Sequence, residues 1–207
     1  MPDSTLDDSI HLVRGRRAAR EASFQALYLM EVGRESADKA MRDVLELTPF
    51  AHEAVEQIKA VVYGVYLQSH KLDKALAKFL APGWSWDRIA VTDKCALRLA
   101  AYELLHVETI PPKVSIHEAV LLARKFGAEE SGRFVNGLLG QFLLSTPKVN
   151  WVAPAGSQEV EDVEPEVTEE IEEEIVQEGS EKYDEMIKAG AWSLKKAAKN
   201  ADGSNDS

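Results

Sequence analysis

The chain has 207 residues with 24 Lys+Arg against 35 Asp+Glu and a single cysteine, Cys95, which excludes an internal disulfide framework and a cysteine-based zinc site and fits a reducing compartment. The five histidines show no metal-ligand spacing, no apolar run approaches the roughly 20 residues that span a bilayer, and the start, MPDSTLDDSI, is acidic where a signal peptide is basic, so no metal, cofactor or membrane is expected and the cytoplasm is the expected location. The net charge of −11 is confined to one segment, since residues 151–180 hold eleven acids and no base while residues 1–150 hold nineteen of each, and basic clusters in the first 150 residues are therefore judged locally.

Residues 1–13 read as a disordered arm. From there to about residue 145 apolar residues recur at helical spacing, and the prolines of this stretch, Pro49, Pro82, Pro111 and Pro112, fall between periodic segments. The first helix is predicted from Arg16 to Glu31. Its Phe24, Leu27, Tyr28, Leu29 and Met30 cover most of the circumference, so its second half is expected to be buried on several sides, and Arg20, in the column of Phe24 and Leu27, is expected in a buried ion pair. A weaker helix near 36–47 follows, then one near 51–69 with Val55, Ile58, Val62 and Val65, and a shorter one near 71–80 with Leu72, Leu76, Phe79 and Leu80. Pro82-Gly83 ends that run.

Ser85 is the expected N-cap of a helix from Trp86 to about His106, in which Cys95, Leu99 and Tyr102 are flanked by Leu97, Ala100, Ala101 and Leu104. This reads as the most enclosed helix. Beyond Pro111-Pro112, Ser115-Ile116-His117-Glu118 has the form of a capping box, with Ile116, Ala119, Val120 and Ala123 behind it. Gly127 breaks the chain, and a last helix from about Glu129 to Leu144 carries Val135, Leu138, Leu139 and Phe142. The body, residues 14–150, is thus all-α with about seven helices. Residues 151–180 hold too little apolar surface to offset chain entropy and read as an acidic disordered linker, and residues 181–207 as a short amphipathic basic helix and tail.

Two clusters bear on function. Arg14, Arg16, Arg17 and Arg20 fall within seven residues at a helix start, where the free N–H groups already favour anions, and together they make a phosphate-binding footprint. The plainer reading is a solvated first turn, although arginines there oppose the helix dipole. The second cluster is Lys125 and Phe126 before the Gly127 break with Arg133 and Phe134 after it. Two rings beside two cations suit the stacking of unpaired bases; the alternative is that both rings fill the joint between helices. Phosphate-loop, dinucleotide, zinc-protease and nucleophile-elbow motifs are missing, and the adjacent Glu129 and Glu130 point apart on a helix. No enzyme is expected.

The segments RRAAREASFQALY (16–28), TDKCALRLAAYELL (92–105), PPKVSIHEAVLLARKFG (111–127) and FVNGLL (134–139) resemble, in order and in one register, the NusB family of bacterial transcription antitermination factors. The resemblance implies two small helical subdomains packed together. It also implies a function in binding boxA RNA of ribosomal RNA operons together with NusE, a small-subunit ribosomal protein, and joining the elongating RNA polymerase complex. The family's arginine-rich start falls on Arg16 and Arg17, with Arg14 nearby, and Ala18 stands where some members carry a third arginine. Its other RNA contacts fall on Tyr28, Phe126, Glu130, Arg133 and Phe134, and its acidic NusE-facing positions on Asp87 and Asp93. Some relatives of this fold form homodimers that cover the RNA surface. Two other readings are open: a protein–protein adaptor of the same fold without RNA binding, and an RNA-recognition module working with a ribosomal RNA methyltransferase.

Overall fold

The computed structural model describes residues 15–153. The N-terminal arm, Arg14, most of the acidic linker and the basic C-terminal segment lie outside the described residues. Six α-helices follow one another: α1 (Arg16–Gly33), α2 (Ala37–Leu47), α3 (His52–Leu76), α4 (Val91–His106), α5 (Pro112–Phe126) and α6 (Ser131–Leu144), with 3-10 turns at Ala77–Phe79, Trp86–Arg88 and Pro147–Asn150. No strand occurs among the described residues, and no helix there is long and apolar enough to cross a membrane. The chain divides into two compact units, one ending at Leu67 and the other beginning at Gln68.

In the first unit α1 packs on α2. The buried part of α1 is its middle, from Ala19 to Leu27, and not its second half as the apolar run implied. Tyr28 and Val32 are exposed. Arg20 is buried, at 7% exposure. The side chain of Ser36 caps α2 by accepting the Lys39 N–H at 3.3 Å, and the Tyr63 hydroxyl donates to Asp38, tying α3 to α2. The two helices expected at 51–69 and 71–80 are one. Ile58, Val62, Val65, Leu72 and Leu76 are all buried at positions that continue a single helical stripe, interrupted only where Ser69 takes a turn of it. A polar residue in the stripe changes what is buried, but with neither Pro nor Gly between Val65 and Leu76 nothing stops the helix there.

In the second unit α4 packs against both α5 and α6, and α5 against α6. Cys95, Leu97, Leu99, Ala100, Ala101 and Leu104 are fully enclosed, as expected of this helix. Its start differs: Ser85 precedes the 3-10 turn, Ile89 and Ala90 are extended, and Ala90 is the residue before α4. That break lets Ile89 be buried. The capping box is likewise displaced. Helix α5 begins at Pro112, a residue suited to a first helical position because its missing N–H would be unsatisfied there anyway. Ser115 therefore lies inside the helix and is fully buried, with its N–H bonded to the Pro111 carbonyl at 3.2 Å. In α6, Val135, Leu138, Leu139 and Phe142 are buried as predicted, and Phe79 meets Phe142 edge to face at 5.8 Å.

The chain after α6 is held to the α4–α5 connection. Lys148 donates to the carbonyls of Val107 and Ile110, and the Trp151 indole donates to the Glu108 carbonyl at 2.8 Å. Trp151, at the first position of the expected linker, is thus attached to the helical body. Burial pushes the Lys148 ammonium below the usual lysine range, while Glu103 and Glu108 pull it back up.

The tightest point of this unit is Gly127. A Cβ there would stand 2.5 Å from the Ser131 hydroxyl and 2.6 Å from the Ala123 carbonyl oxygen, and the carbonyl belongs to a helix that cannot shift alone. Gly140 faces open space within α6. Gly127→Ala is accordingly expected to lower stability by roughly 1–3 kcal/mol, whereas Gly140→Ala raises it by about 0.5–1 kcal/mol. Denaturant unfolding of both variants checks this pair, and equal effects would contradict it.

Candidate nucleic-acid interface

The first unit contributes one face of α1. The helix begins without a side-chain cap and with no acid in its first turn, so the partial positive charge of its N–H groups adds to that of Arg16 and Arg17. Arg17 is exposed and Arg16 half-exposed. Tyr28 is eleven residues from Arg17, close to three helical turns, which places both on one face about 16 Å apart. Tyr28 is 38% exposed. Arg20, buried, takes no part in that face.

The second unit contributes the α5–α6 joint. The Ser131 hydroxyl accepts the Ala128 N–H at 2.9 Å and donates to the Asp93 carboxylate of α4, so one side chain ties the connecting loop, the start of α6 and the start of α4. Gly132 lets the Arg124 stem lie where a Cβ would meet it at 2.7 Å. On the outside of this joint the Lys125 ammonium sits 5.2 Å from the centre of the Phe126 ring, a cation–π contact. Arg133 and Glu130 are exposed and 3.7 Å apart, a spacing at which a surface ion pair contributes little and holds neither group strongly. Lys125, Phe126, Glu130, Arg133 and Phe134 are therefore gathered at one joint of the second unit, while Arg16, Arg17 and Tyr28 belong to the first.

One member of this surface was not singled out in the sequence. Trp84 stacks on Phe134 with ring centres 5.6 Å apart and planes 19° from parallel. It is delivered there by a turn over Ala81-Pro82-Gly83-Trp84, in which Gly83 has φ +88° and the Trp84 N–H bonds to the Ala81 carbonyl at 3.0 Å. This is the type II arrangement that proline followed by glycine favours. Pro82-Gly83 was legible as a stop signal; that the residue after it meets a ring some fifty positions later was not.

The two acids expected to face a protein partner differ. Asp87 is exposed. Asp93 is 8% exposed, and the hydroxyls of Ser131 and Thr92 engage its carboxylate, while its Oδ1 has no hydrogen-bond partner among the described residues. Burial raises its pKa above the usual carboxylate value, and the two hydroxyls offset part of that. Asp93, one of the two positions that the resemblance assigns to NusE, is thus a largely buried carboxylate beside Ser131.

A model described as the NusB family matches residues 17–143. The transcription antitermination protein NusB of Acetivibrio thermocellus is 39% identical over 127 residues, which cover 61% of this chain and 87% of the relative. The protein of that name from Halalkalibacterium halodurans is 41% identical over 126 residues, 61% of this chain and 91% of the relative. Among solved structures, T. maritima NusB superposes with a TM-score of 0.60 at 34% identity, covering 64% of this chain and 92% of that one. A structure of the antitermination factors NusB and NusE in complex with double-stranded RNA superposes with a TM-score of 0.58 at 27% identity, over 63% of this chain and 96% of that one.

Asp93 yields a pH prediction. A carboxylic acid whose pKa is higher in the folded than in the unfolded state favours folding at low pH, and loses that contribution as pH rises through its folded value. Asp93→Asn keeps an oxygen to accept from Ser131 and removes the buried charge. Its stability at neutral pH is expected to equal or exceed that of the unmodified chain by up to about 1 kcal/mol, with the gap closing toward acid pH. Thermal melts across a pH series check this; a variant weaker by the same amount at every pH would contradict it.

Proposed function

The chain belongs to the NusB family, and on that premise we propose that it is an RNA-binding antitermination factor, which binds boxA-type single-stranded RNA of ribosomal RNA operons together with the ribosomal protein NusE and joins the elongating RNA polymerase complex. The observation that carries this reading is the α5–α6 joint, where Lys125 in contact with Phe126 precedes the Gly127 turn and Arg133 and Phe134 follow it in the first turn of α6. Such a corner serves unpaired bases, whose faces are open to stacking as paired ones are not.

In this reading phosphates are held by Arg16 and Arg17, with Arg14 before them, and bases by Phe126, Phe134 and Tyr28. Phosphate contacts supply affinity and register, and the base contacts supply selectivity. Asp87 is the exposed acid available to NusE, and Asp93 acts from behind by fixing Ser131. The role is one of assembly without catalysis: RNA and NusE each bind weakly alone and hold one another at high effective concentration on this scaffold. The solved relative described as NusB and NusE in complex with double-stranded RNA supports RNA and NusE as joint partners.

The arginines give the test. With two to four phosphate contacts, binding of a boxA-like single strand is expected to fall with salt at a log–log slope of roughly −1.4 to −2.8. Replacing both Arg16 and Arg17 by Ala lowers affinity and flattens that slope by about 1.4. Fluorescence anisotropy across a salt series measures both. An unchanged slope and affinity in the double variant would leave the arginines as a solvated first turn and favour the adaptor reading.

A further inference from the structure

Two of the aromatic pairs among the described residues of the second unit, Phe79–Phe142 and Trp84–Phe134, differ in geometry. Phe79 and Phe142 meet at 89°, edge to face, with Phe142 buried in the core, the arrangement that fills space between helices. Trp84 and Phe134 lie at the surface and nearly parallel, 19° apart. Both are half-buried. A parallel pair continues naturally with a third flat ring, whereas an edge-to-face pair does not. Trp84 also stands on a turn that fixes its backbone through Gly83 and the Ala81 carbonyl, so it loses little freedom on binding. The residue next to its partner is Arg133, an exposed cation.

From this geometry we propose that Trp84 is a base-binding residue: an unpaired nucleobase stacks on its indole and extends the Trp84–Phe134 pair, with the neighbouring phosphate toward Arg133. The inference rests on the RNA-binding reading above and adds to it a residue outside the family correspondence. It also assigns Phe134 a double part, since one of its faces supports the indole and is not open to RNA.

The test uses the full chain and a boxA-like single-stranded RNA carrying 4-thiouridine, with irradiation and mapping of the adducts by mass spectrometry. An adduct on Trp84 is expected, a result that a purely structural indole would not give. In anisotropy, Trp84→Phe retains most of the affinity because a ring remains, and Trp84→Leu loses roughly 10-fold or more. The inference is overturned if adducts form only elsewhere, or if Trp84→Leu binds RNA as the unmodified chain does while the Arg16→Ala/Arg17→Ala variant fails. That second pattern leaves the RNA reading standing. A Trp84→Leu variant weakened toward NusE alone would assign the indole to the protein partner and likewise overturn it. Absence of RNA binding by the unmodified chain overturns both readings together. The cross-link is read on the unmodified chain, so a folding defect in either variant does not affect it.

Discussion

At Gly127 the backbone turns from α5 into α6 through a space that admits no methyl group. What occupies that space is the Ser131 hydroxyl, which takes the Ala128 N–H and gives its own hydrogen to Asp93. A single oxygen thus links the α5–α6 connection, the start of α6 and the start of α4. The ring of Phe134 and the guanidinium of Arg133 follow within one helical turn, so the corner they form inherits that rigidity. A binding surface made of separate side chains gains from such fixing, because less ordering is left to be done when the ligand arrives.

The cost of the arrangement is borne by Asp93. A carboxylate withdrawn from water is stable only if hydrogen bonds replace the lost hydration, and here two hydroxyls engage it while Oδ1 has no partner among the described residues. Placing a carboxylate in the first turn of α4 recovers part of this, since the helix N-terminus favours negative charge. Arginines in the first turn of α1 have the sign that a helix N-terminus disfavours. The two helix starts therefore differ in sign: the acid of α4 lies in its first turn beside Ser131, and the arginines of α1 add to the positive end of that helix.

Much of this was readable beforehand, and the reasons are physical. The apolar stripes of α4 and α6 follow helical period, so Cys95, Leu99 and Leu104 in the one and Val135, Leu138, Leu139 and Phe142 in the other were legible as core, while the buried polar residues of α4 were not. Separating the charge by segment made the arginines at Arg16 and Arg17 visible beneath an acidic total. The failures came where one residue has two meanings. The segments near 51–69 and 71–80 are one helix, with Ser69 a polar place in its stripe. Ser115 and Glu118 have the spacing of a capping box, but Pro112 starts the helix a turn earlier. The burial of Asp93 left no local signal, because Ser131, which engages it, lies nearly forty residues away. Trp84 was hidden for the same reason, as a stack between distant residues leaves no local pattern.

In the proposed function this scaffold reads RNA and does so jointly with a protein partner. Its most direct test is fluorescence anisotropy of the full chain with a boxA-like single strand and a scrambled strand of the same composition, each with and without NusE. The account predicts tighter binding of the boxA-like strand and a further gain when NusE is added. Equal binding of the two strands, unchanged by NusE, would contradict it and leave the fold without the function assigned to it.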